Sequence, residues 1–293
     1  MDEWVRSENQ RRGRSPAGSD GARTGDRVRA GTAGRPDAGA ARAALARAAL
    51  PRLPGELATE IRRAAERATA HHREVLVERM GDAVAAYDRG RYEEAWRLGS
   101  QLAREVPTVV EVRRIAGFAA YRLGRWRDAL RHLEAYGELS GEIDAVPAVM
   151  DCQRALGKHR RVAETWAELR RRSPDADVLA EARMVAAGSL ADRGDIQPAV
   201  ELLASAGAAR ALRNPAERHL RQWYALADLY ERAGDVPKAR ELFMRVARVD
   251  PEAYDVDERL ASLGRVRTKT PRPRGPRPST GVTSPARRKA RPG

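Results

Sequence analysis

The chain has 293 residues, enough for one or two domains, with aromatics at only 5%, charged residues at 33% and a formal net charge of +14. A single cysteine excludes an intrachain disulfide framework and suits a reducing compartment, and no run of about 18 apolar residues offers a membrane span. So few large aromatics suit a thin helical stack, in which each unit buries surface only against its neighbours, better than a broad globular core.

The excess charge sits at the two ends. Residues 1–48 carry ten Arg and six acids, residues 265–293 carry ten basic residues and no acid, and residues 49–264 carry 35 of each sign. Arg outnumbers Lys by 51 to 4 on an Ala-rich background, which points to the codon usage of a high-GC bacterial genome rather than to chemistry. Residues 1–48 are rich in Gly, Arg, Ser and Asp without an apolar period. They cannot bury enough surface to offset the entropy of ordering, so a disordered tail is expected. No signal peptide is expected there, since Asp2 and Glu3 come at once and no apolar core follows. Ala40 to Leu50 has the composition of a transient Ala/Arg helix.

Order is expected from Pro54. Leu57, Ile61, Ala64, Ala65 and Ala68 share one helix face, the pattern of an N-terminal capping helix. Paired helices are expected at 72–89 and 92–105, 108–123 and 126–138, 142–156 and 159–172, and 176–193 and 196–206. After the linker GAARALRNPAE a fifth pair is expected at 216–233 and 236–249, and ERLASLG closes the stack. Beyond Gly264 the chain is Pro-rich and basic, hence extended and mobile. The chain thus reads as a tail at 1–48, a helical repeat domain at 49–264 and a basic tail at 265–293.

The last pair shows the repeat most fully. Trp223, Leu226, Ala227 and Tyr230 recur at helical spacing. Gly234 supplies the left-handed residue that ends a helix, Asp235 can cap the next, and Pro237 fits its first turn. Ala239 permits a close crossing, Phe243, Val246 and Ala247 continue the inner face, and Pro251 stops the second helix. The same punctuation recurs upstream at Gly90, Gly124, Gly157 and Gly194, at intervals of 34, 33, 37 and then 40 residues. Five residues after each Gly come Ala95, Ala129, Val162, Ala199 and Ala239; seven before come Ala83, Gly117, Met150, Ala187 and Ala227. The third unit departs most, with Met150 and Val162 large where small residues are expected. This series resembles the tetratricopeptide repeat, a helical hairpin of about 34 residues. The resemblance implies an all-α, right-handed superhelical solenoid of about five hairpins.

Little of the sequence points to chemistry. The adjacent His71 and His72 point in different directions on a helix, and His132, Cys152 and His159 lack zinc-ligand spacing. Cys152 fits a buried core position. No nucleophile elbow, phosphate loop or HExxH stretch occurs, so neither an enzyme nor a cofactor or metal is expected. The plentiful acids alternate with Arg on helix faces, as solvated pairs do.

What the resemblance implies instead is a concave groove lined by the first helices, receiving a partner's peptide or helix. Residues three, six and ten before each turn Gly would face it: Met80, Val84 and Tyr87; Arg114, Phe118 and Tyr121; Pro147, Asp151 and Arg154; Met184, Gly188 and Ala191; Tyr224, Asp228 and Glu231. Tyr87 and Tyr121 either line this groove or pack between neighbouring first helices. The carboxylate-binding slots of some relatives hold Asp151, Asp228 and Glu231 here, which disfavours capture of a chain terminus. The reading is a cytoplasmic scaffold for an unidentified protein partner, with no membrane attachment. The alternative is an RNA- or ribosome-associated protein, holding phosphates through Arg272, Arg274, Arg277, Arg287, Arg288, Lys289 and Arg291.

Overall fold

The computed structural model describes residues 54–265, apart from 206, 208 and 209. Both proposed tails, with Ala40 to Leu50, lie outside the described residues. Twelve α-helices follow one another: α1 (Pro54–Ala64), α2 (Ala70–Asp88), α3 (Tyr92–Glu105), α4 (Val110–Arg122), α5 (Trp126–Ser140), α6 (Val146–Ala155), α7 (His159–Arg171), α8 (Ala176–Asp192), α9 (Ile196–Ala204), α10 (Glu217–Arg232), α11 (Val236–Val249) and α12 (Val256–Arg265). The ten from α2 to α11 form five hairpins stacked in chain order as an α-solenoid, with α1 and α12 packed on the two ends.

One local device makes all five hairpins. Gly90, Gly124, Gly157, Gly194 and Gly234 have φ of 73°, 71°, 70°, 89° and 80°. Glycine adopts this left-handed conformation without a Cβ clash. The residue after each Gly donates its N–H to the carbonyl five residues earlier: Arg91 to Ala86 (2.8 Å), Arg125 to Ala120 (2.9 Å), Lys158 to Gln153 (2.8 Å), Asp195 to Leu190 (3.0 Å) and Asp235 to Tyr230 (2.8 Å). These Schellman closures satisfy the last carbonyls of the first helix and turn the chain into the second.

Small residues then let the two helices cross closely. Ala95, Ala129, Ala199 and Ala239 are fully buried, as are Ala83, Ala187 and Ala227 on the facing helices. At Gly117 a Cβ would lie 2.7 Å from Leu133 Cδ2, so the second crossing has no room even for Ala. The third hairpin instead buries Met150 and Val162 at the crossing. Trp223, Leu203, Leu133 and Phe243 fill the layers between helices, each no more than 2% exposed.

The helix positions follow the expected order, with one shift. α6 begins at Val146 rather than 142, because Gly141 (φ 72°) caps α5 and residues 141–145 form a loop. Asp144 Oδ1 accepts from the Ala145 N–H at 2.8 Å, and Pro147 then sits in the first turn of α6. No helix among the described residues is long and apolar enough to cross a membrane.

Candidate protein-binding clefts

The first helices α2, α4, α6, α8 and α10 carry the residues expected to face a groove, and most of them are covered. Met80 and Phe118 are each 1% exposed, Tyr121 is 3%, Asp151 is 4% and Arg114 is 5%. Val84, Tyr87, Arg154, Tyr224 and Asp228 are partly buried. This corrects the expectation of an open apolar strip at Met80, Phe118 and Tyr121. Phe118 and Tyr121 belong to the core beneath α5 and α6, with Leu130, Leu133, Tyr136 and Val149. Met80 packs with Ile61 of the capping helix α1 and Leu76.

The polar members of the row bind one another across successive hairpins. The Tyr121 hydroxyl donates to Asp151 Oδ2 at 2.7 Å, joining α4 to α6. Arg154 donates from Nε to Asp192 Oδ2 at 2.6 Å and from Nη2 to Asp192 Oδ1 at 3.1 Å, joining α6 to α8. Gly188 leaves the room this guanidinium needs, since a Cβ there would meet Arg154 Nη1 at 2.6 Å. Arg221 and Glu181 pair at 2.5 Å between α10 and α8, with side chains only 4% and 2% exposed. Arg232 donates to the Ala191 carbonyl at 2.9 Å. At the far end Tyr224 donates to Asp255, and Arg259 of α12 pairs with Asp228 and with Glu231. Arg114 pairs with Glu111 of its own helix at 2.5 Å. Buried charges need such partners, because an unpaired ion in the interior is costly. Tyr87 packs edge-on against Tyr92, with ring centroids 5.3 Å apart, and burial raises the pKa of its hydroxyl. The row works as an internal seam between hairpins.

Two open clefts lie between neighbouring second helices, on both sides of the third hairpin. One cleft, of about 500 Å³, runs between α7 and α9 over α8. Its walls are apolar: Val162, Ala163 and Trp166 on one side, Pro198 and Leu202 on the other, and Ala186 below. At its mouth His159 Nδ1 lies 2.9 Å from Ser189 Oγ. Arg170 and Arg183 flank the Trp166 ring at 5.6 and 5.7 Å from its centroid.

The other cleft, of about 620 Å³, runs between α5 and α7 over α6. Leu133, Val146 and Val149 form its apolar part, and carboxylates line its rim. Near its mouth the Tyr136 hydroxyl donates to Glu142 at 2.5 Å and lies 3.2 Å from Asp144 Oδ2. Burial, then the neighbouring Glu142, raise the Asp144 carboxyl above its ordinary value. The third hairpin supplies one wall or floor of both clefts. Val162 lines the first of them, but nothing in the sequence marked either as open space.

Cys152 is fully buried, and burial raises its thiol well above the ordinary range, so it sits in the core as expected. His132 is 2% exposed, 3.4 Å from Arg113 Nη1. Burial first, then Arg131 and Arg113, lower its pKa to about 4. The described residues hold no group of three or more side chains placed to bind a metal. The basic residues from Arg272 to Arg291 lie outside the described residues.

The family model for the tetratricopeptide repeat matches residues 220–263, which span α10, α11 and most of α12. The fold is similar to that of a thermophilic tetratricopeptide-repeat protein of Thermus thermophilus, with a TM-score of 0.50 and 19% identity over 64% of this chain and 98% of that one. The tetratricopeptide-repeat domain of P58(IPK) aligns with a TM-score of 0.36 and 17% identity, over 66% of this chain and 56% of that one. No curated protein matches the chain. The last hairpin thus carries the sequence pattern of the tetratricopeptide repeat, the same glycine turns recur in the four hairpins before it, and the described stack has the fold of a tetratricopeptide-repeat protein.

Proposed function

We propose that the protein is an interaction scaffold that takes a segment of a partner protein between its second helices, with an apolar side chain of the partner seated in the cleft of α7, α8 and α9. Folds of this type generally serve protein–protein interaction. The observation that carries the reading is the cleft itself: about 500 Å³ of open space with Trp166, Val162 and Leu202 in its walls. Large aromatics desolvated at the centre of an interface dominate binding energy, and Trp is the most enriched of them. The first-helix row supports a groove less well, because its polar side chains already pair across hairpins and its aromatics lie in the core. The role is binding rather than catalysis, in a reducing cytoplasm that suits the single buried thiol.

Ala163 is exposed and lines this cleft, so Ala163→Arg fills it without emptying the core. Full-length protein and the variant are compared by affinity capture from cells and quantitative mass spectrometry. A partner enriched by the native chain and lost with Ala163→Arg supports the reading. Capture unchanged by Ala163→Arg contradicts it. If that capture disappears with nuclease or high salt, phosphate contacts by the basic tail take its place.

A further inference from the structure

We infer that the acid-rimmed cleft between α5, α6 and α7 is the docking site of the basic C-terminal segment of this same chain, residues 266–293. The inference is independent of the partner reading, which concerns the neighbouring apolar cleft.

Two rows of carboxylates face this space. Glu134 and Glu138 stand one turn apart on α5, and Glu164 and Glu168 one turn apart on α7, with Glu142 at the loop between α5 and α6. Like charges four residues apart weaken a helix, so the α5 wall carries repulsion that no described partner relieves, whereas Glu164 on α7 is paired with Arg160 and Arg161. The two cations in the lining are already engaged. Arg161 pairs with Glu164 at 3.2 Å, and Arg172 donates to the Gly141 carbonyl at 2.9 Å. Glu134, Glu138 and Glu168 are exposed and have no partner among the described residues. The apolar cleft next to it has a single acid in its lining, Glu201, so the charge is particular to this one.

The segment after Arg265 has the complementary chemistry. It carries nine basic residues, no acid and six prolines in 28 residues. Its cations include a distal cluster, Arg287, Arg288, Lys289 and Arg291, which supplies four positive charges to the carboxylate rows. Val146, only partly buried, gives proline rings and arginine stems an apolar contact beside the carboxylates. Reach is sufficient for this cluster: at about 3.1 Å per residue the 22 residues from Arg265 to Arg287 span roughly 68 Å. Helices packed about 10 Å apart put α7 roughly 40 Å from α12.

The test places a nitroxide on Ser284→Cys in the isotope-labelled full-length chain; the native thiol, Cys152, is fully buried. The proposal expects paramagnetic broadening of amides near residues 134–138 and 164–168. That broadening falls several-fold in Glu134→Gln/Glu138→Gln/Glu168→Gln, whose three positions are exposed and should leave the fold intact. It also falls when salt rises from about 0.1 M to about 1 M, which shortens the screening length from about 10 Å to about 3 Å. No broadening at the cleft, or broadening unaffected by the triple substitution, overturns the proposal. Equal broadening when unlabelled spin-bearing chains are mixed with isotope-labelled chains overturns docking within one chain.

Discussion

Phe118→Ala separates a core role from a binding role at the position where sequence and structure disagree most. The ring is 1% exposed and packs in the cluster of Tyr121, Leu130, Leu133, Tyr136 and Val149. A buried aromatic removes about 150–250 Å² from water, and at about 25 cal/mol per Å² this contributes about 4–6 kcal/mol. Alanine keeps part of that burial, while the space left behind loses packing contacts, so the expected cost is about 3–5 kcal/mol. Urea denaturation followed by circular dichroism reads the total. Native-state hydrogen exchange reads its distribution, because in a one-dimensional stack the damage passes only between neighbours. Protection should fall in α4, α5 and α6 and persist around Trp223 in α10. A cost under about 1 kcal/mol would refute the core placement, since that is far below the range for emptying an aromatic site.

The pair of Glu181 and Arg221 gives a second prediction. Both are buried, so Glu181→Gln should cost about 3–5 kcal/mol, whereas Glu181→Leu/Arg221→Met should be neutral or stabilising by up to about 4 kcal/mol; a double variant less stable than the single one would show that packing, not charge, holds α8 to α10. His132 gives a third. Its folded pKa of about 4 lies below the ordinary 6.5, so between these values the unfolded chain binds a proton that the folded chain does not. Stability should therefore fall as pH drops from about 6.5 to about 4 and be insensitive to this group above 7, a slope that His132→Gln should reduce; an imidazole titrating near 6.5 by NMR would contradict the burial argument.

The hairpins were legible because their causes are local. A glycine at positive φ, a small residue five positions on and another seven before are all fixed by one turn and one crossing, as at Gly234, Ala239 and Ala227. The loop at 141–145 was less legible, since the pattern of apolar residues runs through it and only Gly141 marks the break. The fate of the first-helix row was not legible. Helical period says that Phe118 and Tyr121 share a face, but not that α5 and α6 cover it. The bond from Tyr121 to Asp151 joins residues thirty apart in sequence, and no local rule anticipates it. The clefts escaped for a related reason: open space is set by how whole helices stack, which no local pattern specifies. The carboxylates of α5 looked like members of solvated pairs, yet Glu134 and Glu138 have no arginine partner among the described residues.

Site-specific photo-crosslinking in cells tests the central claim most directly, that partners enter between second helices rather than along the first-helix row. A photoreactive residue is placed at Ala163, in the apolar cleft, and in a separate chain at Val84, a partly buried member of the first-helix row on α2. The account predicts a discrete protein adduct from position 163 and none from position 84. An adduct from 84 with none from 163 would contradict it and return the partner surface to the first helices.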